Sequence, residues 1–248
     1  MLVLALDTAT PASTASLVEV SADELKGVAE RRTVDPRAHG EKLAPEIAAT
    51  LDGAGVRPRD LAAIVAGLGP GPFTGLRVGL ATAASMGQAL GIATYGVCSL
   101  DALGRAAGPG RVLIATDARR REVYFATYLD GVRVTGPDVA KPADVAAAIG
   151  AGPPEQASGG APSAVAGIAV VSGRVSASVD RAAGEGALKY AEIFGVPVEE
   201  HLLYPPGAAL VALAAARIRA AAPSEPLTPL YLRRPDAVEP AGRKPVLR

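Results

Sequence analysis

The chain has 248 residues, which is enough for one large domain or two of moderate size. Its 25 basic and 25 acidic side chains give a formal net charge of zero, so no overall field draws it to nucleic acid or to a membrane surface. A single cysteine excludes an internal disulfide and suits a reducing compartment such as the cytoplasm.

Few residues suit metal binding or membrane insertion. The two histidines, His39 and His201, are far apart in sequence, and neither has a metal-site spacing to Cys98. We therefore expect isolated solvated or capping histidines, no metal, no cofactor and no nucleophile–base pair. Arg77, Asp7 and several prolines interrupt the apolar runs, so no membrane span is expected. The first residues, MLVLALD, lack the pattern of a secretory signal, and we expect a cytoplasmic chain.

The first segment predicts three strands. Residues 2–7 and 14–20 are apolar and are joined by turn residues, which is typical of a β-hairpin. Residues 28–34 predict a third, more exposed strand, which ends before Pro36.

A helix is predicted over residues 40–51, where apolar side chains recur at helical spacing. Pro45 falls inside this pattern. We expect the helix to start near Lys42 or Leu43, because the first turn is where a helix tolerates proline.

The next stretch reads as a strand, a glycine-proline loop and a helix. Residues 61–68 predict a buried strand, the loop is GPGP, and Thr74 is the expected N-cap of a helix over residues 75–90. Such a layout often holds a phosphate. Here Pro70 and Pro72 lack an N–H, and the Walker and dinucleotide spacings are absent, so a phosphate site is the least favoured interpretation.

One face of this helix consists mainly of small residues, which allow another helix to approach closely. Two interpretations stay open: a core helix only, or a helix with the core on one side and a partner on the other. The stripe and its flanks comprise Gly79, Ala83, Gly87 and Leu90, with Leu76, Leu80 and Ala84 beside them.

The second half repeats the order of the first. An apolar strand again ends in aspartate at Asp117, two further strands follow around an Asp130-Gly131 turn, and helix, strand and helix come next. This duplicated βββαβα pattern predicts an α/β fold with two lobes. The predicted elements are strands 111–117, 122–129 and 132–135, helix 141–149, strand 168–172 and helix 187–194.

The domain organisation follows from this repeat. We predict an N-terminal lobe over residues 1–104 and a C-terminal lobe over residues 105–206, with a surface loop at 150–162. An alanine-rich helix at 207–222 is expected to pack back on the first lobe. The tail, 223–248, is expected to be extended and partly disordered beyond Arg234.

Two tandem βββαβα units resemble the actin-like, sugar-kinase-like (ASKHA) fold, in which ATP lies between two lobes. Asp7 matches the acidic residue of that fold's first phosphate hairpin. Ala9 stands where the superfamily has glycine, and its methyl group restricts the approach of the backbone to a phosphate.

Six motifs, in order and over most of the chain, resemble the TsaB (YeaZ) family. They are LALDTAT near the start, HGEKLAPEI at 39–47, GLGPGPFTGLRVGLATA at 67–83, GVCSLDAL at 96–103, TDARRREVYFATY at 116–128 and PLYLR at 229–233.

This resemblance implies a non-catalytic subunit that dimerises with TsaD and supports recruitment of the ATPase TsaE. The reaction it serves is threonylcarbamoyl transfer to N6 of adenosine 37 in tRNAs that read ANN codons. The transferase has a two-histidine metal motif after a Gly-Val pair. Here Gly96-Val97 is followed by CSLDAL, without histidine, so neither metal nor cofactor is expected.

The resemblance also implies a partner interface on the two helices of the first lobe. The same surface forms homodimers in the family, tRNA is reached through the complex, and no membrane is involved. The expected interface residues are Leu43, Ile47, Leu51, Leu76, Gly79, Leu80, Ala83 and Met86.

Two further groups are weaker candidates. Asp7, Thr8 and Thr10 form a vestigial nucleotide or phosphate region. Arg119 and Arg120, in an arginine triplet between two strands, could contact tRNA or a nucleotide. The favoured alternative for the triplet is a solvated turn paired with the glutamate that follows it.

Two enzyme hypotheses compete with the subunit assignment. The first is a stand-alone ATPase or phosphotransferase of the actin-like fold, which Ala9 and the donor-poor GPGP loop disfavour. The second is a metallopeptidase, which the lack of paired histidines disfavours.

Overall fold

The computed structural model describes residues 1–150 and 178–233, which form two β-sheets with helices packed around them. The strands are β1 (Leu2–Asp7), β2 (Ala12–Val20), β3 (Leu25–Val34), β4 (Leu61–Gly67), β5 (Ala93–Val97), β6 (Arg111–Asp117), β7 (Val123–Leu129), β8 (Val132–Ala140) and β9 (Arg181–Ala183). The helices are α1 (His39–Gly53), α2 (Phe73–Leu90), α3 (Ser99–Ala107), α4 (Pro142–Ala148), α5 (Glu185–Lys189), α6 (Ala191–Phe194) and α7 (Gly207–Arg219).

The first sheet has the order β3-β2-β1-β4-β5. Strand β1 is antiparallel to β2 and parallel to β4, so that Leu4 lies between Leu17 and Ile64. All three side chains are buried on the same face. Because both faces of the sheet are covered, β1 reads as a continuous apolar run rather than an alternating one.

Different helices cover the two faces of this sheet. Helices α1 and α2 pack on one face, where Leu43 and Leu76 join the core of β1, β2 and β4. Helix α7 packs on the other face, where Leu210 and Val211 contact the opposite side chains of the same strands. This alanine-rich helix was predicted over residues 207–222 and ends at Arg219.

The second sheet has the order β8-β7-β6-β9, with β7 antiparallel and β9 parallel to β6. In both sheets three consecutive strands form a meander, a helix follows, and the next strand lies parallel beside the first. This repeat is the predicted duplication. The domain limits at 104/105 and 206/207 stay a prediction.

Helix α1 starts earlier than predicted. It begins at His39, not near Lys42 or Leu43, so Pro45 lies inside the helix rather than in its first turn. Pro45 is exposed, and the helix turn that lacks its N–H faces solvent. The first turn is held by a tertiary contact between His39 and Ser13, which no local pattern reveals.

Helix α2 also differs at its start. It begins at Phe73 with Pro72 as N-cap, so the prediction of Thr74 as N-cap was wrong. The Leu76 N–H donates to the Pro72 carbonyl and closes the first turn without any side-chain cap.

The second half shows two further differences. The predicted helix 187–194 is two short helices, α5 and α6, which meet at Tyr190. The predicted strand 168–172 lies outside the described residues, as do most of the predicted loop 150–162 and the tail beyond Arg233. Strand β9 is the one that pairs with β6.

Residues 223–233, which we call the C-terminal strap, have neither helix nor strand. The Glu225 N–H donates to the Thr94 carbonyl, and the Ser224 hydroxyl accepts from the Thr94 N–H, so the strap covers the edge of β5. In the part of the chain that is described, no helix combines the length and apolar character needed to cross a membrane.

Candidate functional site

Asp7 ends β1 at the place of a phosphate hairpin, but its carboxylate faces inward. The side chain is 1% exposed and accepts hydrogen bonds from the Ser99 hydroxyl (2.6 Å) and the Ala9 N–H (2.9 Å). Burial raises the pKa of Asp7 to about 6, against the opposing effect of these two hydrogen bonds. The carboxylate therefore acts as an internal acceptor.

Thr8 and Thr10, the other two residues of this region, are also buried and bonded internally. The Thr8 hydroxyl donates to the Gly75 carbonyl (2.8 Å) and accepts from the Gly79 N–H (3.1 Å), which fixes the first turns of α2. The Thr10 hydroxyl accepts from the Ala12 N–H (3.3 Å) within the hairpin turn.

The GPGP loop lies directly on this hairpin turn. A Cβ atom placed on Gly71 would lie 2.2 Å from the Ala9 carbonyl oxygen, and one on Gly67 would lie 1.8 Å from Oδ2 of Asp7. The Gly69 N–H donates to the Ser99 hydroxyl (3.2 Å). Backbone thus packs against backbone where a bound phosphate would need open N–H groups.

The second sheet has a counterpart to Asp7 at the end of β6. The Asp117 carboxylate pairs with the Lys189 ammonium (3.0 Å), and the Asp117 backbone N–H donates to the Glu185 carboxylate. Burial raises the pKa of Glu185 to about 7, although this carboxylate also accepts from the Gly186 N–H. Both aspartates that end a first strand are therefore bonded within the chain.

A serine–histidine contact was missed by the sequence analysis. The Ser13 hydroxyl lies 2.8 Å from Nδ1 of His39, and both residues are buried. Burial lowers the pKa of His39; Arg119 lowers it further, and Asp35 opposes the shift. The expectation of a solvated or capping His39 was wrong. Ser13 is only 1% exposed, so the pair anchors α1 to β2 and does not present a nucleophile.

Seven of the eight predicted interface residues are buried within the chain itself. They lie on the inner faces of α1 and α2, against the first sheet, and only Met86 is half-buried. The seven are Leu43, Ile47, Leu51, Leu76, Gly79, Leu80 and Ala83.

The exposed sides of α1 and α2 carry other residues, which we call the outer face. Most of them are small, so a partner helix could approach the two backbones closely. The outer face comprises Ala44, Pro45 and Ala48 on α1 with Ala81, Ala84, Ser85 and Gln88 on α2.

The arginine triplet forms the turn between β6 and β7. Arg119, Arg120 and Arg121 are all exposed and have positive φ angles of 63°, 53° and 61°. A non-glycine residue in the left-handed backbone conformation costs about 1–2 kcal/mol, and here three follow one another. Glu122 pairs with Arg233 of the C-terminal strap, and Arg233 also donates to the Ala118 carbonyl (2.7 Å), so the strap holds both ends of the turn.

Within residues 1–150 and 178–233, no three His, Cys, Asp or Glu side chains lie close enough together to hold a metal ion. Cys98 is buried, and burial raises the pKa of its thiol to about 11. Cys98 is therefore a neutral core residue at neutral pH.

The duplicated sheets, with strand order and crossovers repeated, define an actin-like, sugar-kinase-like fold whose first hairpin is closed by its own loop. Two solved structures from Pseudomonas aeruginosa share this fold over nearly their whole length. One is described as an uncharacterized protein with similarity to the peptidase YeaZ; it is 27% identical, covers 94% of this chain and 99% of its own, and has a TM-score of 0.66. The other, YeaZ, is 26% identical, covers 93% and 99%, and has a TM-score of 0.65.

Sequence comparisons agree with the structural ones. The family model for "TsaD: tRNA N6-adenosine threonylcarbamoyltransferase" matches residues 28–237. An uncharacterized protein of Mycobacterium tuberculosis is 46% identical over 95% of this chain and 93% of its own. The Escherichia coli tRNA threonylcarbamoyladenosine biosynthesis protein TsaB is 34% identical over 52% of this chain and 55% of its own. The chain belongs to the TsaB (YeaZ) family, within the wider group that the TsaD model describes.

Proposed function

We propose that this chain is a non-catalytic subunit in the biosynthesis of threonylcarbamoyladenosine on tRNA. It dimerises with a TsaD-type transferase, supports recruitment of a TsaE-type ATPase, and reaches tRNA in the cytoplasm through that complex. The name of the Escherichia coli relative supports the pathway. The main support for a non-catalytic role is the packing of Gly71 on Ala9, because the chain's own backbone then fills the space beside the first hairpin where a phosphate would bind.

The docking surface in this proposal is the outer face of α1 and α2. The predicted interface residues contribute to this surface indirectly, because Leu43 and Leu76 pack the two helices against the sheet. Ala81 and Ala84 lie one helical turn apart on the exposed side of α2, where a partner helix can pack closely. A homodimer through the same face would compete with the transferase.

Co-purification with the TsaD protein of the same genome tests this proposal. We expect the wild-type chain to co-elute with it, and Ala84→Arg to stay monomeric with an unchanged melting temperature, because the new side chain points to solvent. Ala216→Arg on the exposed side of α7 is the matched control and should bind normally. Failure of the wild-type chain to bind, or normal binding by Ala84→Arg, would contradict the proposal.

Arg119 and Arg120 remain candidate contacts to tRNA or to a nucleotide within the complex. Their strained turn is held by the strap, which supports a defined arrangement rather than a loose loop. Arg119→Ala should weaken binding of tRNA or nucleotide by the complex without preventing its assembly. If the isolated chain hydrolyses ATP, the stand-alone ATPase hypothesis replaces the subunit proposal.

A further inference from the structure

An exposed cluster of three side chains lies at the start of α2, and we call it the Arg77 cluster. The guanidinium carbon of Arg77 lies 3.7 Å from the centroid of the Phe73 ring. Its Nε donates a hydrogen bond to the Tyr231 hydroxyl (2.8 Å), and the Phe73 and Tyr231 rings stack at 5.2 Å. All three residues are exposed, with Phe73 at 44% and Tyr231 at 39%.

The C-terminal strap fixes this cluster from both sides. One residue before Tyr231, the Leu230 N–H donates to the Leu68 carbonyl (2.8 Å). Two residues after it, Arg233 donates to the Ala118 carbonyl (2.7 Å). The ring of Tyr231 is therefore anchored between two tertiary contacts, and it holds the guanidinium of Arg77 in one orientation.

This arrangement leaves the Nη1/Nη2 edge of Arg77 available. One face of the guanidinium is stacked and Nε is bonded, and within the described residues no carboxylate pairs with this side chain. Two parallel N–H groups match the geometry of a carboxylate, and a guanidinium that is already oriented loses little entropy on binding. The Arg77 cluster is thus suited to bind an anion in a bidentate manner.

The position of the cluster indicates which anion it meets. Arg77, Ala81, Ala84 and Ser85 recur at helical spacing and are all exposed, so the Arg77 cluster is the end of the same stripe that forms the outer face on α2. A subunit that covers this stripe along its whole length contacts Arg77.

Charges of both signs lie around the Arg77 cluster. Glu41 and Asp52, at the two ends of α1, are exposed, and Arg233, two residues after Tyr231, lies against the turn that carries Arg119. A single oriented guanidinium is enough for one carboxylate, so the position of the cluster on the outer face decides the occupant.

We propose that the Arg77 cluster receives the carboxylate of an aspartate or glutamate side chain of the partner subunit. This inference rests on the proposed function, since the partner is the TsaD-type protein that occupies the outer face. Aromatic and arginine side chains dominate the energetics of protein interfaces, so this cluster is the charged anchor of an otherwise small-residue surface.

Titration calorimetry with the TsaD protein of the same genome tests the inference. Arg77→Ala should weaken binding by roughly 10- to 100-fold, and Arg77→Lys should not restore it, because an ammonium cannot bind both oxygens in a fork. Tyr231→Phe keeps the ring stack but frees Nε, and it should weaken binding by a smaller factor. Arg59→Ala, an exposed arginine at the opposite end of β4, makes the same charge change and should bind as wild type.

Charge reversal identifies the partner group. Arg77→Glu should abolish binding, and an aspartate or glutamate to arginine change in the partner should restore it. If the wild-type chain binds the partner and Arg77→Ala binds equally well, this inference alone is wrong. If the wild-type chain does not bind the partner at all, the proposed function is wrong as well. If Arg77→Ala reduces binding of tRNA to the complex but not binding of the partner, the anion is a phosphodiester and the inference is wrong.

Discussion

The Ser99 hydroxyl donates a 2.6 Å hydrogen bond to Oδ2 of Asp7, across 92 positions of sequence. The same hydroxyl accepts from the Gly69 N–H, and the Ser99 N–H donates to the Gly69 carbonyl. One serine at the start of α3 therefore connects the first hairpin with the GPGP loop. These bonds hold the hairpin and the loop against each other.

Asp7→Asn should stabilise the fold at neutral pH. The folded-state pKa of about 6 lies above the ordinary value of 3.8, so between these values the native state binds more protons than the unfolded state. The stabilisation that this group contributes is therefore lost as the pH rises through that window. Above the window, burial of the charged carboxylate lowers the free energy of unfolding by roughly 2–3 kcal/mol. The amide carries no charge, so the variant should gain up to about 2 kcal/mol at pH 8.

Urea denaturation of both proteins from pH 4 to pH 8 measures this difference. The gain should disappear near pH 4, where the wild-type carboxyl is protonated in the native state. A gain that is the same at both ends of the range would show that Asp7 does not titrate in this window.

Ser99→Ala should destabilise the chain by about 1–3 kcal/mol, because it leaves a buried carboxylate and a buried N–H with fewer partners. The Ser99 hydrogen bond lowers the pKa of Asp7, so its removal should raise that pKa further. Carbon-detected NMR titration of the Asp7 carboxyl measures the shift. A lower pKa in the variant would contradict the assigned role of the hydroxyl.

Gly79→Ala should destabilise the monomer. The new Cβ would lie 2.4 Å from the Thr8 hydroxyl, which bonds the Gly79 N–H, so hairpin and helix must separate. Leu80→Asp, which places a charge in the core, should unfold the chain. Thermal melts compare these variants with Ala81→Arg on the exposed side of the same helix, which should melt as wild type. A Gly79→Ala protein of unchanged stability would show that the contact relaxes at no cost.

Cys98 should resist modification in the native state. Cys98 is 8% exposed, and burial raises the pKa of its thiol to about 11, so very little reactive thiolate exists at pH 7.5. Labelling by a disulfide reagent should be slow without urea and should follow the unfolding transition as urea is added. Rapid stoichiometric labelling of the folded chain would contradict the burial of Cys98.

The sequence analysis predicted the order of the elements well, because strands such as β1 and β6 are apolar runs that end in aspartate. It failed where tertiary contacts decide the result. Helix α1 starts at His39 because Ser13 holds the imidazole, and helix α2 starts at Phe73 although it has no side-chain cap. The Ser13–His39 contact leaves no periodic signal, since Ser13 belongs to another element, and the first turn of α2 is closed by the backbone carbonyl of Pro72, which no side-chain pattern marks.

The candidate site shows the same division. The resemblance drew attention to α1 and α2, but apolar spacing marks the inner face of a helix, and Leu43 and Leu80 are core residues. The exposed alanines carry no such signal, because alanine suits any helix position. Tyr231 could not be linked to Arg77 from sequence, since 154 positions separate them.

Helix α7 covers one face of the first sheet, yet it is synthesised long after the strands that it covers. The five strands of that sheet are complete once Val97 has been synthesised, more than a hundred residues earlier. At ordinary translation rates the nascent chain therefore exposes Val3, Val18 and Val65 for roughly 5–20 seconds before their covering helix exists. During that interval the uncovered apolar face is a hazard for aggregation, which a chaperone that binds nascent chains would reduce.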